Sequence, residues 1–128
     1  MATNTKSIDQ TEGEMGNGTK FTALVGTGGV TAGRCVKWDG SNANTVIQAT
    51  SSSDTVIGIA RDTKAASAAG GVLVLSNGCR VDTSETLTVG GKVGCEASTG
   101  KVVDFASGTV VGTAIKATGE IRIQIEWQ

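Results

Sequence analysis

From Phe21 onward the chain alternates short apolar runs with turn signals. FTALV leads into GTGG, RCVKW into DGSNAN, TVIQA into SSSD, and TVIGIA into a polar stretch. That spacing predicts short strands joined by tight turns. The Asn77-Gly78 pair between GVLVL and CRVDT predicts a hairpin, because a type I′ turn needs positive φ at both central residues. VGCEA and KVVDF around Ser98-Thr99-Gly100 predict a second. The segment EIRIQIEW alternates cleanly, with Ile121, Ile123, Ile125 and Trp127 on one face and Arg122, Gln124 and Glu126 on the other. DTKAASAAGG at 62–71 is rich in Ala but has no two-turn apolar stripe, so it reads as a loop with at most one helical turn. Residues 1–20 carry almost no apolar periodicity; they read either as a frayed terminus or as an extended polar arm that orders against a neighbouring subunit.

The pattern repeats. TVIGIARD at 55–62 returns as TVVGTAIK at 109–116. Thr31 to Asp39 aligns with Thr88 to Glu96 at an offset of 57, and Val56-Ile57-Gly58 with Val110-Val111-Gly112 at 54. The strand Val72 to Leu75 aligns with Ile121 to Gln124 at 49, so the first copy carries the longer loops. Neither copy can bury its apolar face alone, whereas two can do so together, and closure removes exposed edges. The expected fold is therefore all-β: a small barrel-like domain at 21–128, built from pseudo-symmetric repeats at about 30–80 and 87–127, behind an arm at 1–20. Gly58 and Gly112 are expected where a strand bends or another backbone approaches closely.

Composition narrows the chemistry. The 128 residues include 19 Gly but no His, Pro or Tyr, and only two Trp and two Phe. A core of Val, Ile and Ala with so little aromatic area predicts that self-association contributes to stability. The net charge is −1 with both signs mixed, which leaves out the basic stripe of a nucleic-acid binder. No apolar run approaches the roughly 20 residues that span a bilayer, and residues 1–20 show no secretory leader. Cys35, Cys79 and Cys95 lack a CxxC spacing and a His partner, so they read as buried free thiols rather than zinc ligands.

No catalytic constellation emerges. Gly26-Thr27-Gly28-Gly29 lacks the Lys-Ser/Thr of a phosphate loop and reads as a turn. Cys95 holds the slot that Trp38 holds in the first copy, which marks a core-facing position. Asp39 and Glu96 are equivalent by the repeat, and Asp54, Asp62, Asp82 and Asp104 lie in turns, where acids bond local backbone. No cofactor, metal or catalytic residue is expected, and the chain is not expected to be an enzyme. Trp127 reads as core or subunit contact; Trp38 reads equally as core or surface.

Taken in order, T-A-G-R-C-V-K-W, V-I-G-I-A, G-V-L-V-L-S-N-G, T-V-G-G-K-V, T-G-K-V-V, V-V-G-T-A and I-R-I-Q-I-E-W resemble the bacteriophage capsid decoration (cement) proteins over roughly residues 30–127. Where that family often carries an acid after its "aG" pair, this chain has Arg34 and Gly91, which removes contacts depending on the acid. The resemblance implies a β-barrel-like or β-tulip-like subunit, commonly trimeric, made in the host cytoplasm and mounted on the outer capsid surface of the virion. There it would clamp neighbouring major capsid protein subunits, its partners being that protein and itself, with no nucleic acid or membrane. Two other readings remain: a tail, fibre or baseplate module binding a host surface glycan, and a small hydrolase using paired carboxylates such as Asp39 and Glu96.

Overall fold

Among the described residues, ten strands make two five-stranded sheets, one closed into a barrel and one open. The computed structural model describes residues 20–76 and 78–123. In chain order the strands are β1 (Lys20–Val25), β2 (Cys35–Trp38), β3 (Thr45–Gln48), β4 (Gly58–Ala60), β5 (Val72–Leu75), β6 (Gly78–Arg80), β7 (Lys92–Cys95), β8 (Val102–Asp104), β9 (Val110–Lys116) and β10 (Glu120–Ile123). The arm at 1–19, the central residue Asn77 and the segment Gln124 to Trp127 lie outside the described residues. The stretch 62–71 is loop, as its missing apolar stripe predicts.

The barrel closes in the order β1-β3-β2-β4-β5, with β1 returning to β5. Its pairs are antiparallel except β1 with β3, which run parallel. The open sheet has the order β6-β10-β9-β7-β8, all antiparallel. Replacing each strand of the barrel by the one five places later turns the first order into the second, apart from the closing pair. The two halves therefore share one topology, and they differ at a single seam. Where β1 and β3 close the barrel, the second half keeps one hydrogen bond, from Val102 N–H to Asp82 C=O at 2.9 Å.

The equivalence extends to individual bonds. Gly33 N–H donates to Ala60 C=O and Gly90 N–H to Ala114 C=O, both at 2.8 Å. Gly33 and Gly90 have φ of 81° and 83°, the left-handed value that a residue with a Cβ avoids. Gln48 Oε1 accepts the Thr31 N–H at 3.1 Å, and its counterpart Asp104 Oδ1 accepts the Thr88 N–H at 2.9 Å. Gly58 and Gly112 both meet a neighbouring backbone: a Cβ on Gly58 would lie 2.6 Å from the Leu75 oxygen, and one on Gly112 would lie 2.1 Å from the Arg122 oxygen. The close approach expected of these two glycines is present.

Two sequence readings are corrected here. The runs around Asn77-Gly78 do not pair as a hairpin, since β5 lies in the barrel and β6 in the open sheet. The reason is occupancy: β5 is already bonded on one edge to β1 and on the other to β4, so no edge is left for β6. The register of the closing strand also shifts. Ile59 pairs with Leu75 and Thr113 with Arg122, so Leu75 corresponds to Arg122, an offset of 47 rather than 49. Apolar alternation has period two and cannot tell these registers apart. The hairpin across Ser98-Thr99-Gly100 does form, between β7 and β8.

The interior is divided. Ala23, Val25, Val36, Val46, Val72 and Val74 fill the barrel, with Val30, Ile57 and Ala60. A second cluster joins Val93, Val102, Val111 and Ile121 of the open sheet to Cys35, Ala49, Val56 and Ile59 of the barrel half. Successive residues Cys35 and Val36, or Ile59 and Ala60, therefore serve different cores. Alternation along a strand whose two faces are both buried explains why these stretches read as unbroken apolar runs.

Candidate functional site

The acids singled out in the sequence do not converge; each is engaged by partners of its own. Asp39 Oδ2 accepts the Asn42 side-chain amide at 2.8 Å. Glu96, its counterpart, accepts the Thr99 hydroxyl and, at 2.8 Å, the Ser84 hydroxyl. The Thr99 bond first, then the Ser84 bond, holds its carboxyl below the usual range. Asp62 pairs with Arg61 at 3.1 Å and Asp82 with Arg34 at 2.9 Å. Asp104 takes the backbone N–H of Thr88 at 2.9 Å and its hydroxyl at 2.8 Å, which lower its pKa in that order. Among the described residues, no three Cys, Asp or Glu side chains gather as a metal would need.

Asp54 lies in the loop between β3 and β4 and is 16 % exposed. Burial pushes its pKa up, but the Thr50 N–H at 2.9 Å, the Lys37 ammonium at 3.0 Å and the Ser51 N–H at 3.0 Å outweigh it. The net shift is downward from 3.8. A depressed folded-state pKa stabilises the fold above the unfolded value, and that contribution disappears as pH falls through the folded value. Asp54→Asn is therefore expected to lower stability by about 1 kcal/mol at neutral pH, since it removes the Lys37 ion pair and turns charge-assisted bonds into neutral ones. The difference from the parent should shrink below about pH 4, where the parent's own carboxylate takes up a proton. Urea unfolding of both chains at several pH values checks this; a difference constant down to pH 2 would contradict it.

The thiols are structural. Cys35 and Cys95 are buried and Cys79 is partly buried. Contact with the Cys95 thiol, then burial, holds Cys35 well above the ordinary thiol range. Burial, then the Glu120 carboxylate, pushes Cys79 up to about 11. These two thiols are poor nucleophiles near neutral pH, and Cys95, which its contact with Cys35 shifts downward, is shielded instead by its 3 % exposure. In the native protein, reaction with a disulfide reagent at pH 8 should be slow and should become fast for all three on denaturation; rapid labelling of folded Cys35 would refute this.

Gly26 to Gly29 forms a turn closed by Gly29 N–H to Gly26 C=O at 3.1 Å. Trp38 is 43 % exposed and rests on Phe21, with ring centroids 5.7 Å apart. Its counterpart Cys95 is 3 % exposed. The slot is thus shared in register but not in environment, and Trp38 proves to be a half-exposed side chain.

What the structure assembles is a joint between the halves. Asp82 N–H donates to Gly33 C=O, Ser98 N–H to Thr50 C=O, Thr109 N–H to Ser52 C=O and Cys35 N–H to Gly100 C=O, each at 2.8 Å. Arg34 reinforces it, its Nε on Asp82 and its NH1 reaching the Thr99 carbonyl at 3.3 Å. Gly33 is needed here as well, since a Cβ would stand 2.7 Å from the Asp82 nitrogen. Sequence reasoning did not find this joint, nor three exposed apolar residues, Leu24, Val89 and Ile115, which sit in ordinary strand or turn contexts. The available signal was a position-by-position comparison of the copies in correct register, in which Asp82 stands opposite Leu24.

No family model matches the chain, and no curated protein matches it. Among solved structures, it is similar to the head fiber gp8.5 N base of bacteriophage phi29, with a TM-score of 0.59 and 18 % identity, over 82 % of this chain and 92 % of that one. At that identity the likeness is one of fold: this chain and the base of a phage head fiber are built on the same β architecture.

Proposed function

We propose that this chain is a structural protein of a phage virion that decorates the outer surface of the head and strengthens the shell by bridging neighbouring major capsid protein subunits. The observation that carries this reading is the fold shared with a phage head-fiber base over 82 % of this chain and 92 % of that one. The ordered decoration-protein motifs between residues 30 and 127 support it separately. The chain's resources suit adhesion. The acids of the described residues are spent on internal bonds. The open sheet ends on one side at β6, whose outer edge can accept an added strand, while the outward N–H groups of β8 at Val102 and Asp104 are already bonded. Residues 1–20, as an extended polar arm, could lie along a neighbour in this way. A trimer repeated over a shell would multiply modest contacts into firm retention.

The test is co-sedimentation of the purified chain with expanded heads that lack it. The expected outcome is saturable binding at a fixed ratio to the major capsid protein, together with a higher temperature of DNA release. A chain that stays in the supernatant at every ratio would overturn the reading.

A further inference from the structure

Among the described residues, the internal repeat leaves each half with one face used and one face free. In the joint, the first half contributes Gly33 and Arg34 and the second contributes Asp82, joined by the 2.8 Å backbone bond and the 2.9 Å ion pair. Ala32 and Arg61 line the same cleft of about 370 Å³ as Val81 and Asp82. The strand pairings fix the counterparts of these residues. Ala32, Gly33 and Arg34 correspond to Val89, Gly90 and Gly91; Arg61 corresponds to Ile115; Asp82 corresponds to Leu24.

On the free copies Leu24 stands where the used face has Asp82 and Ile115 where it has Arg61, while Val89 enlarges the apolar position held by Ala32. Val89 is 62 % exposed, Ile115 47 % and Leu24 54 %, and these are three of the four large apolar side chains exposed among the described residues. A Cβ on Gly90 would meet nothing within 4 Å, whereas the same position on Gly33 is covered by Asp82. The exchange is matched on both sides: Arg34 becomes Gly91 as Asp82 becomes Leu24. An ion pair inside the chain is thus replaced, on the two open faces, by a leucine and a glycine-floored notch with apolar walls.

We propose that these faces mate between copies of this chain, with Leu24 of one copy seated against Val89, Gly90 and Ile115 of the next. The contact repeats, from chain to chain, the step that already relates the two halves within a chain. It is head-to-tail, so it generates a closed ring if the rotation closes and a filament if it does not. Leu24 already gives its N–H to the Asn44 carbonyl at 2.8 Å, so the contact is made by side chains, not by a copy of the Asp82–Gly33 bond. Isolated exposed apolar residues are ordinary on any surface; here they fall on two faces that an existing interface shows to be complementary. The inference deepens the self-association in the function proposed above, and it is tested without capsids so that either can fail alone.

The experiment is sedimentation velocity on the full chain and three variants. The parent is expected to associate. Leu24→Asp and Val89→Asp, both at exposed positions and checked for unchanged thermal unfolding, should each weaken association about 30-fold or more, as loss of a central contact does. Mixing these two variants should give a 1:1 heterodimer that grows no further, because each retains the face the other lacks. Leu24→Asp combined with Gly91→Arg should recover association by recreating the Asp82–Arg34 pair; Gly91 has no positive φ, and its closest contact, the Thr88 oxygen, is 3.1 Å from a built Cβ. A parent that remains monomeric at its highest soluble concentration would overturn the proposal, as would an oligomer unaffected by either Asp variant. So would a mixture of the two variants that forms no heterodimer.

Discussion

Replacing Gly112 by Ala is expected to destabilise the fold by about 3 kcal/mol, the upper part of the range for forcing extra atoms into a packed interior. The new Cβ would stand 2.1 Å from the Arg122 oxygen and 3.0 Å from the Ile123 Cα, and both are backbone atoms of β10. A flexible side chain could swing away, but a paired strand cannot without losing its own bonds. The position also lies at a break in the register of β9 with β7, which leaves the strand little freedom to slide. For a domain of this size the midpoint of thermal unfolding should fall on the order of 10 °C. Gly78→Ala is the matched control: its nearest neighbour is the Ile121 oxygen at 3.7 Å, an ordinary contact, so its melting temperature should barely move. Equal melting temperatures for the two variants would contradict close approach as the cause, since the lower unfolded-state entropy of Ala favours the fold at both positions.

The second large effect is expected at Ile59. Its side chain has 0 % exposure and projects from the barrel half into the cluster shared with the open sheet. Truncation to Ala removes its packing and leaves a cavity between two rigid layers, which costs about 2–5 kcal/mol. Ile115→Ala removes a side chain that is 47 % exposed and should change the stability of the monomer by less than about 0.5 kcal/mol. Urea unfolding below the association range separates the two: the midpoint for Ile59→Ala should fall with an unchanged slope. A midpoint within error of the parent would show that the two halves do not share this core.

Much of this architecture is legible in the residues. The Thr-x-Gly turns at 31 and 88, the Val-Ile-Gly and Val-Val-Gly strands, and the alternation of Ile121, Arg122 and Ile123 follow from steric preference and period-two burial, which act locally. Gly58 and Gly112 were readable because a glycine within a strand needs a reason, and backbone approach is the usual one. The failures have a common origin in partners that are distant along the chain. Asn77-Gly78 carries a hairpin signal, but β1, more than fifty residues earlier, already holds the edge that a hairpin would use. The 49-residue offset failed because Val72, Val74, Ile121 and Ile123 are all buried, so burial alone fits either register. The single interior expected for two facing halves is in fact two clusters, since the barrel wall is covered on both sides.

The joint was illegible for the same reason. Arg34 and Asp82 are 48 residues apart, and nothing local marks them as partners. Exposure of Leu24 could not be read from FTALV, where strict alternation permits Leu24 on either face and only the barrel closure decides. Once the halves are aligned through their pairings, however, the sequence does carry the message. Asp82 against Leu24 and Arg34 against Gly91 change together, the pattern expected when one interface lies within a chain and its twin lies between chains.

The most direct test of the central claim is a cryo-EM reconstruction of purified particles of the phage that encodes this chain. The account predicts density for the barrel and the open sheet on the outer face of the head, touching more than one major capsid protein subunit. Particles that lack the chain, or that carry it only on the tail, would contradict it.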